Sequence, residues 1–108
     1  KYHVTINRQE PDCVLNKQGF KMVIDAKYKP RYASNGLSMD DARQISGYAR
    51  MKKMYDELNE SDYSKVLECL VIYPDQKNGV ELDKESLRKY PFEKYVMFYK
   101  YGIKLPEL

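Results

Sequence analysis

The chain contains no tryptophan, a single histidine (His3) and only two cysteines (Cys13 and Cys69) among its 108 residues. One histidine and no Cys-x-x-Cys pair argue against a zinc centre, which draws its ligands from clustered Cys and His. The two cysteines lie far apart, each beside apolar residues in a strand-like segment. They are therefore expected as reduced core thiols rather than a disulfide. Long apolar runs are also lacking. Cys69-Leu70-Val71-Ile72-Tyr73, among the longest, has strand length, far short of the roughly 18–20 residues of a membrane helix. No charged leader followed by an apolar stretch marks a signal peptide, and there is no internal repeat or low-complexity segment. An initiator methionine is missing too. The first residues, Lys1-Tyr2-His3-Val4-Thr5-Ile6, already look like a strand, so the chain is expected to be a piece of a longer protein. Finally, neither sign of charge dominates. The net charge is +3, which permits nucleic-acid binding without demanding it.

What is present suits one globular domain. Hydrophobic residues make up 43% and charged residues 32%, a balance that excludes intrinsic disorder. Residues 1–7 alternate as a strand. Cys13-Val14-Leu15 and Phe20–Lys27 form two more, joined by Asn16-Lys17-Gln18-Gly19, whose Asn and Gly tolerate positive φ. Lys29–Gly36 is a loop broken by Pro30 and Gly36. Ser38 or Asp40 can cap a helix running from about Asp40 to about Asn59, with Asp40 and Asp41 at the positive end of its dipole. Gln44, Tyr48, Met51, Tyr55 and Leu58 form a stripe along it, flanked by Ile45 and Ala49. A strand at Val66–Tyr73 stops at Pro74-Asp75. Gln76–Pro91 is polar and reads as loop or a short helix, and Tyr95–Tyr101 is a last strand. The order β-β-β-α-β-β gives an α/β (α+β) domain with one mixed sheet and a helix packed on it.

The hairpin carries the chemistry. Asp12 opens one strand and Asp25 lies near the end of the next. Lys27 is two residues on and shares the face of Asp25. With the turn centred near Gln18, Asp12 falls opposite or nearly opposite Asp25. Facing Cβ atoms stand about 4.5–5.5 Å apart, and two carboxylates at that distance repel. A divalent cation relieves this, and magnesium commonly takes one or two carboxylates plus waters and substrate phosphate. Beside a metal-bound water, the Lys27 ammonium can orient or deprotonate the nucleophile and offset charge in a phosphodiester transition state. Asp-x-Lys alone is a cheap pattern in a lysine-rich chain. It recurs at Asp75-Gln76-Lys77, where it carries no expected function.

Pro11-Asp12, Asp25-Ala26-Lys27 and Gln44-Ile45-Ser46-Gly47-Tyr48, in that order and spacing, resemble the signature of the PD-(D/E)xK nuclease superfamily, the restriction-endonuclease-like fold. Within it, Val23-Ile24-Asp25-Ala26-Lys27-Tyr28-Lys29, the Gln-x-x-x-Tyr helix and Leu70-Val71-Ile72-Tyr73-Pro74 look most like the nuclease subunit (McrC) of McrBC-type, modification-dependent restriction systems. The resemblance spans about residues 10–75. It implies a restriction-endonuclease-like mixed sheet with a long helix, and magnesium-dependent hydrolysis of DNA phosphodiester bonds, with manganese as a substitute. Asp12, Asp25 and the Ala26 backbone carbonyl would bind the metal. Lys27 would be the catalytic lysine, and Gln44 would position water or substrate. Tyr48 would support the site or contact DNA. The resemblance also implies a partner, an AAA+ GTPase or ATPase motor subunit, and a cytoplasmic setting. Cutting both strands of a duplex often takes two copies, so a homodimer is a functional expectation only. Such folds usually begin with a helix before the first strand, and its absence here puts activity of this piece alone in doubt. The alternative is a non-catalytic DNA- or protein-binding module on the same fold.

Other residues carry weaker expectations. Lys29, Arg31, Arg43 and Arg50 can meet phosphates near a nuclease site, and equally can be ordinary solvated surface. Tyr90, Tyr95, Tyr99 and Tyr101 can stack on bases, but packing on a sheet face is the favoured reading. His3 is expected to be structural.

Overall fold

A computed structural model describes residues 13–17, 19–27 and 38–104. Asp12, Lys29, Arg31, His3 and the strand expected over residues 1–7 lie outside the described residues. Four strands form one mixed sheet in the order β1-β2-β3-β4: β1 Cys13–Lys17, β2 Phe20–Ala26, β3 Glu68–Pro74 and β4 Phe98–Ile103. Two helices, α1 (Met39–Ala49) and α2 (Lys52–Glu57), cross between β2 and β3. The mixed α/β class expected from the sequence is therefore present. β1 and β2 are antiparallel, with Lys17 paired to Phe20. Only two residues join them, and Gly19 takes φ +88°, the left-handed conformation such turns favour glycine for. β2, β3 and β4 run parallel, as strands linked by helical or long excursions can.

The helix starts where its capping chemistry says it should. The Ser38 hydroxyl accepts from the Asp41 amide at 3.1 Å and donates to the Asp41 carboxylate at 2.8 Å, satisfying one of the orphan donors of the first turn. Its far end is legible too. Asn59 takes φ 55°, and the amides of Asn59 and Glu60 return to the carbonyls of Asp56 and Tyr55, a Schellman closure with asparagine in the left-handed position.

The single long helix expected between these ends is not what forms. The Arg50 and Met51 amides bond back three residues, to Gly47 and Tyr48, which tightens and closes α1. Met51 is extended, with φ −76° and ψ 135°, and α2 restarts after it with no side-chain cap. The break re-aims the apolar stripe. Ala42, Ile45, Tyr48 and Ala49 are buried from α1, and Met54, Tyr55 and Leu58 from the second segment. Gln44, expected on the stripe, is exposed. Each of the two short helices turns its own apolar residues inward, and Gly47 weakens the helix near the break.

Both sheet faces carry apolar residues. Val23, Cys69, Val71 and Phe98 pack under the helices, while Met22, Leu70 and Tyr101 pack on the other face with Leu87. The segment between β3 and β4, polar in sequence, contains a 3₁₀ turn at Lys84–Ser86 capped by Asp83. It buries Leu87 and Phe92. β4 begins three residues later than expected. Met97 takes φ 52° and Val96 is 76% exposed, so Tyr95-Val96-Met97 is a turn that carries Phe98 to its place beside Cys69. Cys13 is exposed and Cys69 buried. Neither forms a disulfide among the described residues, and only one belongs to the core. No helix among the described residues is long and apolar enough to cross a membrane.

Candidate functional site

The carboxyl ends of parallel strands are where open α/β sheets bind ligands, and the resemblance motif falls there. Side chains alternate along β2, so Met22, Ile24 and Ala26 share one face and Val23 and Asp25 the other. Val23 packs under the helices, which places Asp25 on the helix-covered face. Asp25 is 1% exposed, in a row of core residues where a carboxylate is costly without a positive partner. Lys27 supplies one. Its Nζ stands 3.0 Å from Asp25 Oδ2 and 3.7 Å from Asp41 Oδ1. The Lys27 amide donates to the Ile72 carbonyl at 2.8 Å, extending the parallel ladder one residue and fixing the lysine backbone beside β3.

An ammonium thus bridges two carboxylates, one from β2 and one from the first turn of α1. Asp41 is the member that sequence reasoning missed as a site residue. As a sequence feature it reads only as a helix-dipole residue, and its second role depends on the first turn of α1 lying at the end of β2. No spacing rule reports that. Asp41 is itself held by Ser38, so the helix cap and the site share a side chain. Gln44 is exposed one turn further along α1, at the i+3 position that neighbours Asp41 on the helix surface. Tyr48 is buried at 5% exposure among the residues that hold α1 to the sheet. That position takes its ring away from solvent. Arg43 is exposed and pairs with Asp40 at 2.9 Å, at the same end of α1. Arg50 is exposed at the other end. Asp12, the expected partner carboxylate, lies outside the described residues, as do Lys29 and Arg31. The described part of the hairpin ends at the pair Cys13 and Ile24.

Among the described residues, no three His, Cys, Asp or Glu side chains gather into a metal-holding group. The donors that are present are hard oxygens: the Asp25 and Asp41 carboxylates and the Ala26 carbonyl. Such a set fits magnesium or manganese, which keep several waters and need few protein ligands, and does not fit zinc or copper.

The second Asp-x-Lys lies in a turn after β3. Asp75 folds over its own turn, accepting from the amides of Lys77 and Asn78 at 3.2 and 2.9 Å, as turn aspartates do. Of the tyrosines of the last segment, Tyr101 and Tyr95 pack, while Tyr90 is 37% exposed. Tyr101 is 1% exposed, donates to the Glu81 carbonyl at 3.0 Å and meets Tyr90 edge to face. Tyr95 stacks on Phe92.

Comparison with known proteins adds no name to this geometry: no family model, curated protein or solved structure matches the chain significantly.

Proposed function

We propose that the chain is a metal-dependent DNA nuclease domain, the cleavage component of a McrBC-type restriction system. The observation that carries this reading is the buried Asp25 held 3.0 Å from Lys27 at the carboxyl end of a parallel strand. A carboxylate and an ammonium fixed together there, under the start of a helix, are the two groups a phosphodiester hydrolase needs beside its metal. A divalent cation bound at Asp25 would lower the pKa of its water and offset charge on the phosphodiester. Asp25 and the Ala26 carbonyl would hold it, with Asp12 as the further carboxylate. Lys27, released from its ion pairs as substrate enters, orients the attacking water and faces the developing negative charge. Gln44, exposed at the neighbouring helix position, positions water or the strand. Arg43, Lys29 and Arg31 are the cations offered to phosphates. An AAA+ motor subunit, a second copy of the domain and a cytoplasmic setting belong to the same reading.

The test is cleavage of duplex DNA by the intact protein in magnesium or manganese. Asp25→Asn and Lys27→Met should each lower the rate by about 10²–10⁴-fold, the range for losing a catalytic acid–base group, with unchanged circular dichroism. The metal should also raise the thermal midpoint of the parent protein, and Asp25→Asn should lose that rise. Full cleavage by either variant overturns the assignment. DNA binding without any cleavage by the parent protein would favour the non-catalytic module instead.

A further inference from the structure

Asp25 is paired in register with Val71, and Val71 with Lys100. The three form one row across the sheet, on the face that Val71 shares with the helices. Lys100 therefore stands two strand spacings, about 10 Å, from Asp25. One row further along, Tyr73 is paired with Gly102. The Tyr73 ring lies so close that a Cβ on Gly102 would stand 3.1 Å from it. The missing side chain of Gly102 leaves room for that ring. Between these residues is a cavity of about 200 Å³, walled by Tyr73, Tyr90, Asp75, Asn78 and Lys100. Whole drug-sized ligands fill roughly 300–1,000 Å³, so this cavity takes one ring or one phosphate rather than an entire nucleotide. Burial first, and then the Asp75 charge, push the Tyr73 hydroxyl above its ordinary range. The phenol stays neutral, with an uncharged π face.

We infer that this cavity is a base subsite, in which the Tyr73 and Tyr90 rings bound one base of the substrate strand, while Lys100 at its wall meets the adjoining backbone phosphate outside it. The inference rests on the nuclease reading and deepens it. The rings supply sequence-tolerant stacking and the lysine a point charge without base information. At 3.4 Å per nucleotide along a strand, the separation from Asp25 spans about three nucleotides, so the subsite grips the strand beside the scissile bond. Asn78 and Asp75 present the polar groups that could meet a base edge.

Binding of a single-stranded oligonucleotide and of an abasic strand of equal length is measured by anisotropy in calcium, with intact protein. Lys100→Gln should weaken both by about tenfold, as expected for one charge-assisted contact. It should also make the salt dependence shallower by about 0.7 for the phosphate contact removed. Tyr73→Leu should weaken the natural strand by about tenfold and leave the abasic strand unchanged. The thermal midpoint of each variant checks its fold. If Asp25-dependent cleavage is present but Lys100→Gln and Tyr73→Leu bind as the parent does, the subsite is overturned and the nuclease reading stands. If the parent protein shows neither DNA binding nor a metal-dependent midpoint, both fall together.

Discussion

Arg88 donates to both carboxylate oxygens of Glu68, at 2.5 and 2.6 Å, and lies over the Phe20 ring with 4.2 Å to its centroid. It also reaches the Gly19 carbonyl at 3.2 Å. One side chain thereby ties the excursion between β3 and β4 to the hairpin turn and to the first residue of β3. The pair lies at the start of β3, at the opposite end of the parallel strands from Asp25. Glu68 is 6% exposed, so removing its partner leaves a buried carboxylate. The Arg88 side chain is 43% exposed, which screens the pair. The expected cost of Arg88→Ala is therefore about 1.5–3 kcal/mol, the range for hydrogen bonds to charged groups, below the 3–5 kcal/mol of a fully buried pair. Urea unfolding measures it, and Arg88→Lys should recover only part, since an ammonium cannot make the two-pronged contact. Neither residue drew notice in the sequence. They stand twenty positions apart, and no local pattern links them. Asp25 and Lys27 were visible because a strand puts residues two apart on one face. Asp41 was not, because it meets Lys27 from a separate element, α1.

At the scale of elements, the outer ends of the helical region were readable and its middle was not. Ser38 and Asn59 act through their own side chain and backbone, so capping chemistry suffices to place them. The interruption at Met51 satisfies no local rule, since methionine is a poor N-cap and makes no capping bond there. Packing on the sheet imposes it. Gly47 gives a test. It sits in the last turn of α1 on the exposed side, and a Cβ there would meet nothing within 4 Å. Gly47→Ala should therefore stabilise the protein by about 0.5–1 kcal/mol through helix propensity and a less flexible unfolded chain. A shift of the urea midpoint without a change in slope would be the expected result. A loss of stability would mean that the turn after α1 needs the glycine. The late start of β4 has a similar origin. Tyr95-Val96-Met97 has strand composition, but β propensity records fit to a half-buried surface, and here the sheet offers its edge only from Phe98 onward.

The whole molecule sets how stability responds to alkali. Burial first, and then the neighbouring Glu68 charge, push the Cys69 thiol up to about 12 from its ordinary 9.0. Burial likewise raises the Tyr99 hydroxyl, with Glu68 adding to it, and raises Tyr73. A group whose folded-state pKa is raised binds more protons folded than unfolded at pH values between the two. Stability then falls as pH rises through that window. The contribution of Cys69 is complete below about pH 9 and is lost progressively toward about pH 12. The tyrosines add to the loss above their unfolded value of 10.0. The thermal midpoint should decline from about pH 9 upward, and Cys69→Ala should flatten the first part of that decline whatever it does to the midpoint at pH 7. A decline of the same slope in the variant would assign the effect to the tyrosines alone.

Taken by itself, the sequence determined the α/β class, the hairpin with its glycine turn, the two ends of the helical region and the Asp25-Ala26-Lys27 placement at a strand end. Each follows from chemistry within a few residues: side-chain alternation, a left-handed backbone, a hydroxyl cap. The tertiary structure alone decided the break between α1 and α2, the Glu68–Arg88 tie, the approach of Asp41 to Lys27 and the row that sets Lys100 beside Val71 and Asp25. Each of these depends on which strands become neighbours and in what register. Strand pairing joins residues tens of positions apart, and a shift of one residue would turn every side chain to the other face.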